Sequence, residues 1–302
     1  AVYEDERPVL LRNIRHTADE LQQYPTSFDQ LPLRQNKIVQ TLEEEEIPFA
    51  FDAIVGRGGL THPIPAGVYR VNAQMLHDTR TAIRQHVCNL GCHIAAALAS
   101  KIDHCEALIA DPVIVDEMCA EARICGSPNM ARNSVWHALN QRATARRHAL
   151  AIGRRYEDLD LIVAHLGGGI TIGVHHHGRT IDVNNGLDGE GPFSPERAGT
   201  LPTADLIRMC FSGEYTEEEL LRFVGGKAGL VAWLGTSDTR EILDRIESGD
   251  EEAKLIMDAM IYHIAKGIAA QAAVLCGRYD AILITGGLAH AHYITSRLRE
   301  RV

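Results

Sequence analysis

The amino-acid sequence predicts an α/β fold made of two halves, each of which alternates strands with helices. Short apolar runs at 107–110 (ALIA) and 161–164 (LIVA) are typical of buried strands. Longer segments with helical periodicity connect such runs. Units that begin with a strand and continue with helices occur twice along the chain. In both halves glycine or a charged residue follows the end of an apolar run, which is where α/β folds bind their ligands.

The first half is predicted to begin with short strands at 1–3 and 8–12, an abrupt start that suggests a missing element upstream. The run at 49–55 (FAFDAIV) predicts a buried strand that ends at the glycine-rich sequence GRGG. Asn72 is a suitable N-cap for a helix that extends to Arg84. The other elements expected in this half are helices at 29–46, 89–102 and 133–152 and a strand at 107–110.

The second half opens with the strand at 161–164, which ends at the glycine triplet Gly167, Gly168 and Gly169. A second strand is expected at 170–174, a hairpin tip at 175–178 (HHHG) and a return strand at 180–183. A glycine-rich bend between paired strands exposes backbone N–H groups and lets a bulky anion approach closely. Because phosphate is the usual anion at such a bend, the pattern indicates a nucleotide-phosphate hairpin.

The rest of the second half is predicted to be mainly helical. Thr216 and Glu219 form a capping-box pattern at the start of one helix. Apolar residues recur on one face of the segment 251–276, which predicts a long buried helix. The other elements expected here are a helix at 239–247 and a strand at 280–285 that runs into Gly286 and Gly287.

Taken alone, the glycine triplet has two interpretations, a phosphate-binding bend or a glycine bulge in an ordinary sheet. A strand rather than a helix follows it, which argues against a Rossmann dinucleotide site, and the Walker pattern is absent from the sequence. The segment that starts at Asp182 resembles a calcium loop only briefly. Glycine is not at its sixth position and Phe193 replaces the acidic twelfth residue, so we reject a calcium site.

Composition indicates an ordinary globular protein of 302 residues, with 45% hydrophobic and 23% charged residues and enough length for two domains. The formal net charge of -10 argues against nucleic acid as a partner. No apolar run approaches the roughly 20 residues needed to span a membrane, and residues 1–20 lack the apolar core of a secretory signal. The seven cysteines form no C-x-x-C pair, which fits the reduced thiols of a cytoplasmic protein.

The fifteen histidines raise the question of a metal site. Only His175, His176 and His177 are clustered, and they lie on the expected hairpin tip. We therefore interpret this cluster as a solvated turn rather than a metal site.

Four residues are candidates for chemistry. Arg57 lies between glycines after a buried strand, where it can bind a carboxylate or phosphate or be a surface arginine on a tight turn. Asp111 follows an apolar strand and is either functional or a turn former before proline. His137, early in a helix, fits a packed core histidine on spacing alone. Arg197 lies in the loop SPERAG, where it is placed to stabilise charge on a transferring phosphoryl group.

Together these motifs resemble those of the acetate and butyrate kinase family, over essentially the whole chain. The motifs that carry the resemblance are FDAIVGRGGL (51–60), ADPVIVDEM (110–118), WHALNQRATARR (136–147), AHLGGGITIG (164–173), DVNNGLDGEGPFSPERAGTLP (182–202) and ITGGLAH (284–290). Acetate kinases have an asparagine in the glycine segment where this chain has Gly168, and they differ around Arg57 and Asp188. These differences favour butyrate over acetate as the substrate.

The resemblance implies an actin-like fold with duplicated ribonuclease-H-like domains, at 1–157 and 158–302, and a nucleotide cleft between them. It implies reversible phosphoryl transfer from ATP to a short-chain carboxylate, with Mg²⁺ accompanying ATP or ADP. It also implies a homo-oligomer. Two alternatives remain open, a branched-chain (isobutyrate) kinase and a non-catalytic nucleotide-binding module of the same fold.

Residue by residue, the resemblance implies that Asp111 is the catalytic aspartate and that His137 and Arg197 are transition-state donors. Arg57 matches the substrate-side loop. The nucleotide-binding residues that it implies are His165, Gly167, Gly168, Gly169, Gly286 and Gly287, while no metal ligands are assigned. The family begins with a strand and phosphate loop that do not precede Ala1, and it continues past the position of Val302, so we expect a chain truncated at both ends.

Overall fold

The computed structural model describes residues 1–82 and 84–302 and confirms the α/β class. The chain forms two compact units, one of residues 1–62 and 67–110 and the other of residues 63–66 and 111–302. The predicted boundary between 157 and 158 stays a prediction.

The first unit combines nine strands and helices, namely β1 (Val2–Glu4), β2 (Arg7–Leu10), α1 (Ala18–Gln22), α2 (Leu31–Glu44), β3 (Ala53–Gly56), β4 (Val68–Arg70), α3 (Ala73–Thr81), α4 (Leu90–Ala99) and β5 (Glu106–Ala110), among the described residues. Strands β1 and β2 form an antiparallel hairpin of their own. In the three-stranded sheet, β5 lies in the middle, with β3 parallel to it and β4 antiparallel to it.

The loop after β3 packs tightly against the first turn of α4. A Cβ added at Gly56 would lie 2.4 Å from the carbonyl oxygen of Gly91, and one added at Gly91 would lie 2.5 Å from that of Gly58. Both distances are too short for any side chain, so glycine is required where these backbones meet. The glycine-rich sequence after β3 is therefore explained by close packing within this unit.

The second unit contains the remaining strands and helices, namely α5 (Ala120–Arg123), α6 (Ala138–Ala151), β6 (Asp160–Leu166), β7 (Ile170–His176), β8 (Arg179–Val183), α7 (Thr203–Cys210), α8 (Glu217–Arg222), α9 (Leu230–Leu234), α10 (Thr239–Glu247), α11 (Glu251–Val274), β9 (Ala281–Thr285) and α12 (His292–Arg299). Its sheet has the strand order β8-β7-β6-β9. The pairs β8/β7 and β7/β6 are antiparallel, whereas β6 and β9 are parallel.

Both faces of this sheet are buried. On one face Ile162 of β6 belongs to a core that includes Ile264 of α11. On the other face Val163 packs in a cluster with Ala145 of α6 and with Tyr156. Burial on both faces explains why the strand reads as an unbroken apolar run rather than an alternating one.

Several element boundaries differ from those predicted. Helix α6 begins at Ala138 rather than near 133, because Ser134 and Trp136 both donate side-chain hydrogen bonds to the carbonyl oxygen of Val115, at 2.6 and 2.8 Å, which holds this segment outside the helix. The helix predicted to reach Arg84 ends at Thr81, and Ile83 lies outside the described residues. Within the described part of the chain, no helix has both the length and the apolar character needed to cross a membrane.

Candidate active site

The glycine triplet forms the bend that joins β6 to β7. The two strands pair in register up to Leu166 and Ile170, and the amide of Gly167 donates to the carbonyl oxygen of Gly169 at 3.2 Å. A Cβ added at Gly169 would lie 2.1 Å from Nη1 of Arg197. The absence of a side chain at residue 169 is therefore what lets the guanidinium lie against the bend.

Arg197 is held at this bend by its own loop. Ser194 donates its hydroxyl to the carbonyl oxygen of Gly168 at 2.6 Å, and the amide of Arg197 donates to the Ser194 hydroxyl oxygen at 3.1 Å. The guanidinium also donates from Nη1 to the carbonyl oxygen of Gly186. These contacts fix a positive charge beside the glycine triplet.

Two imidazole rings lie together near the same bend. The rings of His137 and His165 stack with centroids 3.8 Å apart and planes 12° apart. His165 is in β6, and its Nε2 lies 3.0 Å from where a Cβ of Gly167 would be. Its Nδ1 lies 2.7 Å from Oδ1 of Asn140, so the two side chains share a hydrogen bond. His137 directly precedes α6 and is distant from the glycine bend along the chain. Tertiary packing therefore brings it to the bend.

Asp111 has a strained backbone and is buried beside two charged partners. Its φ is 36°, in the left-handed region that few residues other than glycine adopt, and the residue is 5% exposed. Its Oδ2 lies 3.2 Å from Nε of Arg142 and 3.6 Å from Nη1 of Arg146. Arg142 also donates to the carbonyl oxygen of Gly178 at 3.0 Å. Asp111 is therefore a rigidly held carboxylate between two guanidinium groups.

Gly286 brings the end of β9 against the end of β6. Its φ is 91°, and an added Cβ would lie 2.3 Å from the carbonyl oxygen of Leu166, so both conformation and space require glycine. At Gly287 an added Cβ would meet none of the described atoms within 4 Å. Packing within the protein thus explains why residue 286 is glycine, but it does not explain the glycine at 287.

The site residues predicted from the sequence fall in both units. Arg57 is exposed in the loop after β3 of the first unit, and the other predicted site residues are in the second unit. Within the second unit the structure brings His137, His165 and Arg197 to the glycine bend.

The histidine cluster differs from the prediction. Strand β7 continues through His176, so the turn begins only at His177, and His175 is fully buried. Its Nδ1 lies 2.6 Å from the hydroxyl oxygen of Tyr156, and its Nε2 lies 3.0 Å from Oε1 of Gln141. Burial lowers the pKa of His175 to about 3. The solvated-turn prediction was wrong for His175, because the strand extends two residues further than the sequence suggested.

The other two histidines remain near the surface. Nδ1 of His176 pairs with Oδ1 of Asp160 at 2.5 Å, and these two residues and His177 offer ligand atoms that lie within 4.8 Å of one another. Such a triad is compatible with a metal ion, but Nδ1 of His176 and Oδ1 of Asp160 already have each other as partners without one.

Sequence reasoning missed the buried polar residues behind the bend. Thr171 and Gln141 are both fully buried, and Gln141 donates to the carbonyl and hydroxyl oxygens of Thr171 at 3.0 and 2.9 Å. Two signals point to them. Thr171 interrupts an apolar run, and Gln141 is four residues after His137, on the same face of the chain as it enters α6.

Comparisons with known proteins agree with this fold. The structure of Porphyromonas gingivalis acetate kinase superposes with a TM-score of 0.69 at 22% identity, covering 82% of this chain and 63% of that one. Residues 131–300 match the model of the acetokinase family. The chain is 58% identical over its full length to a probable butyrate kinase of Bacteroides thetaiotaomicron and spans 86% of that protein. It is 45% identical to butyrate kinase 1 of Clostridium acetobutylicum and spans 85% of it.

The fold is thus that of the acetate kinases, α/β proteins with mixed sheets. The chain belongs to the acetokinase family.

Proposed function

We propose that this protein catalyses reversible phosphoryl transfer from ATP to butyrate, giving butyryl phosphate and ADP. The observation that carries the proposal is the guanidinium of Arg197 against Gly169 of the glycine bend. The proposal is also supported by two relatives that are similar over the whole chain and are named as a probable butyrate kinase and butyrate kinase 1.

In this proposal the glycine bend binds the phosphates of the nucleotide. Gly167, Gly168 and Gly169 leave the backbone open to an anion, and His165 flanks them. Gly286 and Gly287, at the end of the neighbouring parallel strand β9, are assigned to the adenosine side.

The chemical difficulty is electrostatic. A carboxylic acid titrates near pH ~4, by analogy with Asp and Glu, so butyrate is already ionised at neutral pH and needs no strong base. The barrier lies in bringing this anion to the negatively charged γ-phosphate, and catalysis is then positioning together with charge neutralisation. We assign charge neutralisation to Arg197 and hydrogen-bond donation to His137, both of which lie at the bend.

Asp111 is assigned an organising role rather than that of a proton acceptor. Two guanidinium groups already surround its carboxylate, so its negative charge is used to orient them. Mg²⁺ would enter with ATP as part of the substrate and add positive charge at the phosphates. Asp111 would then act through the waters of that ion or through the arginines beside it.

Arg57 is assigned to the carboxylate substrate. It is exposed in a loop whose backbone is held rigidly by the packing of Gly56 and Gly91. A guanidinium on such a loop offers two parallel N–H donors to a carboxylate. We also expect a homo-oligomer, as the family resemblance implies, and a cytoplasmic location, as the scattered cysteines suggest.

The test is to trap acyl phosphate as a hydroxamate with straight carboxylates of two to five carbons and with isobutyrate. Butyrate should give the highest kcat/KM, whereas a preference for isobutyrate would indicate a branched-chain kinase. Arg197→Ala should lower kcat by about 10³-fold or more with little loss of ATP affinity. The matched control is Arg208→Ala, on exposed α7, which should behave like the unmodified protein.

Binding of ATP without acyl phosphate from any carboxylate would contradict the proposed activity. A value of kcat in Arg197→Ala above about a tenth of the original would remove Arg197 from the transition state, because that loss is under ~1.4 kcal/mol.

A further inference from the structure

A continuous chain of hydrogen bonds runs inward from His137. It passes from the imidazole of His137 to Thr171, then to Gln141, then to His175, and ends at the hydroxyl of Tyr156. We call these five residues the buried relay. All of them except His137 are at most 4% exposed, so each polar group depends on its neighbour in the chain rather than on water.

The orientation of the Gln141 amide is fixed by an obligate acceptor. Its Nε2 lies 3.0 Å from the backbone carbonyl oxygen of Thr171, which can only accept, so the NH₂ group is on that side. The amide oxygen then faces Nε2 of His175 at 3.0 Å. Since this oxygen can only accept, Nε2 of His175 must carry the proton.

The far end of the relay agrees with this assignment. With its proton on Nε2, His175 must accept at Nδ1, where the Tyr156 hydroxyl lies 2.6 Å away and donates. Burial raises the pKa of Tyr156 to about 12 and lowers that of His175 to about 3. Neither group changes its charge near neutral pH, so the direction of these hydrogen bonds is constant there.

The hydrogen bonds of Thr171 determine which nitrogen of His137 accepts. Its hydroxyl oxygen accepts a hydrogen bond from Nε2 of Gln141 at 2.9 Å and a weaker one from the backbone amide of His137 at 3.5 Å, so both lone pairs face donors. Its single proton is left for Nδ1 of His137, at 2.8 Å. His137 therefore accepts at Nδ1, and a ring that carries a single proton then has it on Nε2.

The side chain of Thr171 is itself held in place by packing. Its Cγ2 lies 2.4 Å from where a Cβ of Gly186 would be, so the methyl group fills the space that this glycine leaves. Because the methyl group fixes the rotamer, the hydroxyl is directed consistently at Nδ1 of His137.

We propose that the buried relay holds His137 as the Nε2–H tautomer, so that Nε2 is a hydrogen-bond donor to the transferring phosphoryl group. This inference rests on the proposed function, in which His137 meets that group. Thr171, Gln141, His175 and Tyr156 are positioning residues, since they act through His137. A neutral ring in the other tautomer would present a lone pair to the phosphoryl oxygens and repel them.

The test combines a spectroscopic measurement with kinetics. In the free protein labelled with ¹⁵N-histidine, long-range ¹H–¹⁵N correlation spectra should report His137 as the Nε2–H tautomer, and His137→Gln identifies its signals. Thr171→Val keeps the shape and removes the hydroxyl. It should mix the two tautomers and lower kcat by roughly 10- to 100-fold, as when other residues that orient a functional histidine are removed.

Two further variants separate positioning from packing. Thr171→Ser restores the hydroxyl and should recover kcat to within about threefold of the original, with KM for ATP and butyrate changed by no more than about twofold in either variant. Thr180→Val is the matched control, because Thr180 is buried in the adjacent strand β8 and its hydroxyl has no hydrogen-bond partner among the described residues. It should leave both tautomer and kcat unchanged.

Two outcomes would overturn the inference: an Nδ1–H tautomer in the unmodified protein, or an unchanged kcat in Thr171→Val. Absence of acyl phosphate formation in the unmodified protein would instead refute the proposed function. The NMR result distinguishes the two, because the tautomer is measured without substrate.

Discussion

Nη1 of Arg197 lies 2.1 Å from the position that a Cβ of residue 169 would occupy. The backbone of Gly169 is outside the left-handed region, so its conformation alone would accept other residues. What excludes them is the guanidinium. The glycine at 169 and the arginine at 197 are thus two parts of one arrangement.

Gly169→Ala should therefore impair activity by displacing Arg197. A displacement of about 1 Å at a reacting centre can cost about 100-fold, and we expect kcat to fall by that order while the fold is retained. Steady-state kinetics with circular dichroism would check this. The matched control is Gly126→Ala, where an added Cβ would meet none of the described atoms within 4 Å. Equal kcat in both variants would mean that the position of Arg197 is not critical.

The two arginines beside Asp111 should differ in their effect on stability. The side chain of Arg142 is 7% exposed and that of Arg146 is 54% exposed. Arg142→Met leaves Asp111 buried without its nearest charge and should lower the free energy of unfolding by about 3 kcal/mol or more. Arg146→Met should cost less than about 1 kcal/mol, because water screens an exposed pair. Urea unfolding measures both, and similar losses would contradict the burial argument.

His175 should make stability depend on pH. Burial lowers its pKa from 6.5 to about 3 in the folded state, so below pH 6.5 the unfolded chain binds a proton that the folded protein does not. The stability due to neutral His175 is fully present above pH 6.5 and is lost as the pH falls toward 3. The loss is about 2 kcal/mol by pH 5.

Urea unfolding at pH 7.5 and at pH 5 tests this, with His175→Gln compared against the exposed control His177→Gln. The difference between the two pH values should shrink in the first variant and persist in the second. If His175→Gln kept the full difference, other groups would be responsible for it.

The outer histidines should be dispensable for activity. His176 and His177 are at the end of β7 opposite the glycine bend. We expect the double variant His176→Ala with His177→Ala to keep kcat, and we expect purified protein to contain zinc well below one equivalent. Metal analysis by mass spectrometry checks the second point. Stoichiometric zinc that disappears in the double variant would show that the triad with Asp160 is a metal site.

Local sequence pattern determined much of the secondary structure. The helix predicted at 239–247 matches α10, and the capping box of Thr216 and Glu219 is present at the start of α8. The glycine triplet at 167–169 lies between paired strands, as expected. Such features depend on residues a few positions apart, which is the range that periodicity, capping and turn chemistry describe. The roles assigned by resemblance to Asp111, His137 and Arg197 stay predictions.

Tertiary packing decided the features that join distant residues. His175 reads as a turn residue in the sequence, but it is buried because β7 continues past it and Tyr156 and Gln141 meet its two nitrogens. The loop of Arg197 is held at the glycine bend by hydrogen bonds between distant residues, from Ser194 to Gly168 and from Arg197 to Gly186, which are 26 and 11 positions apart. Whether a polar residue faces water or a buried partner depends on which segments the fold brings together, and local pattern carries no information on that choice.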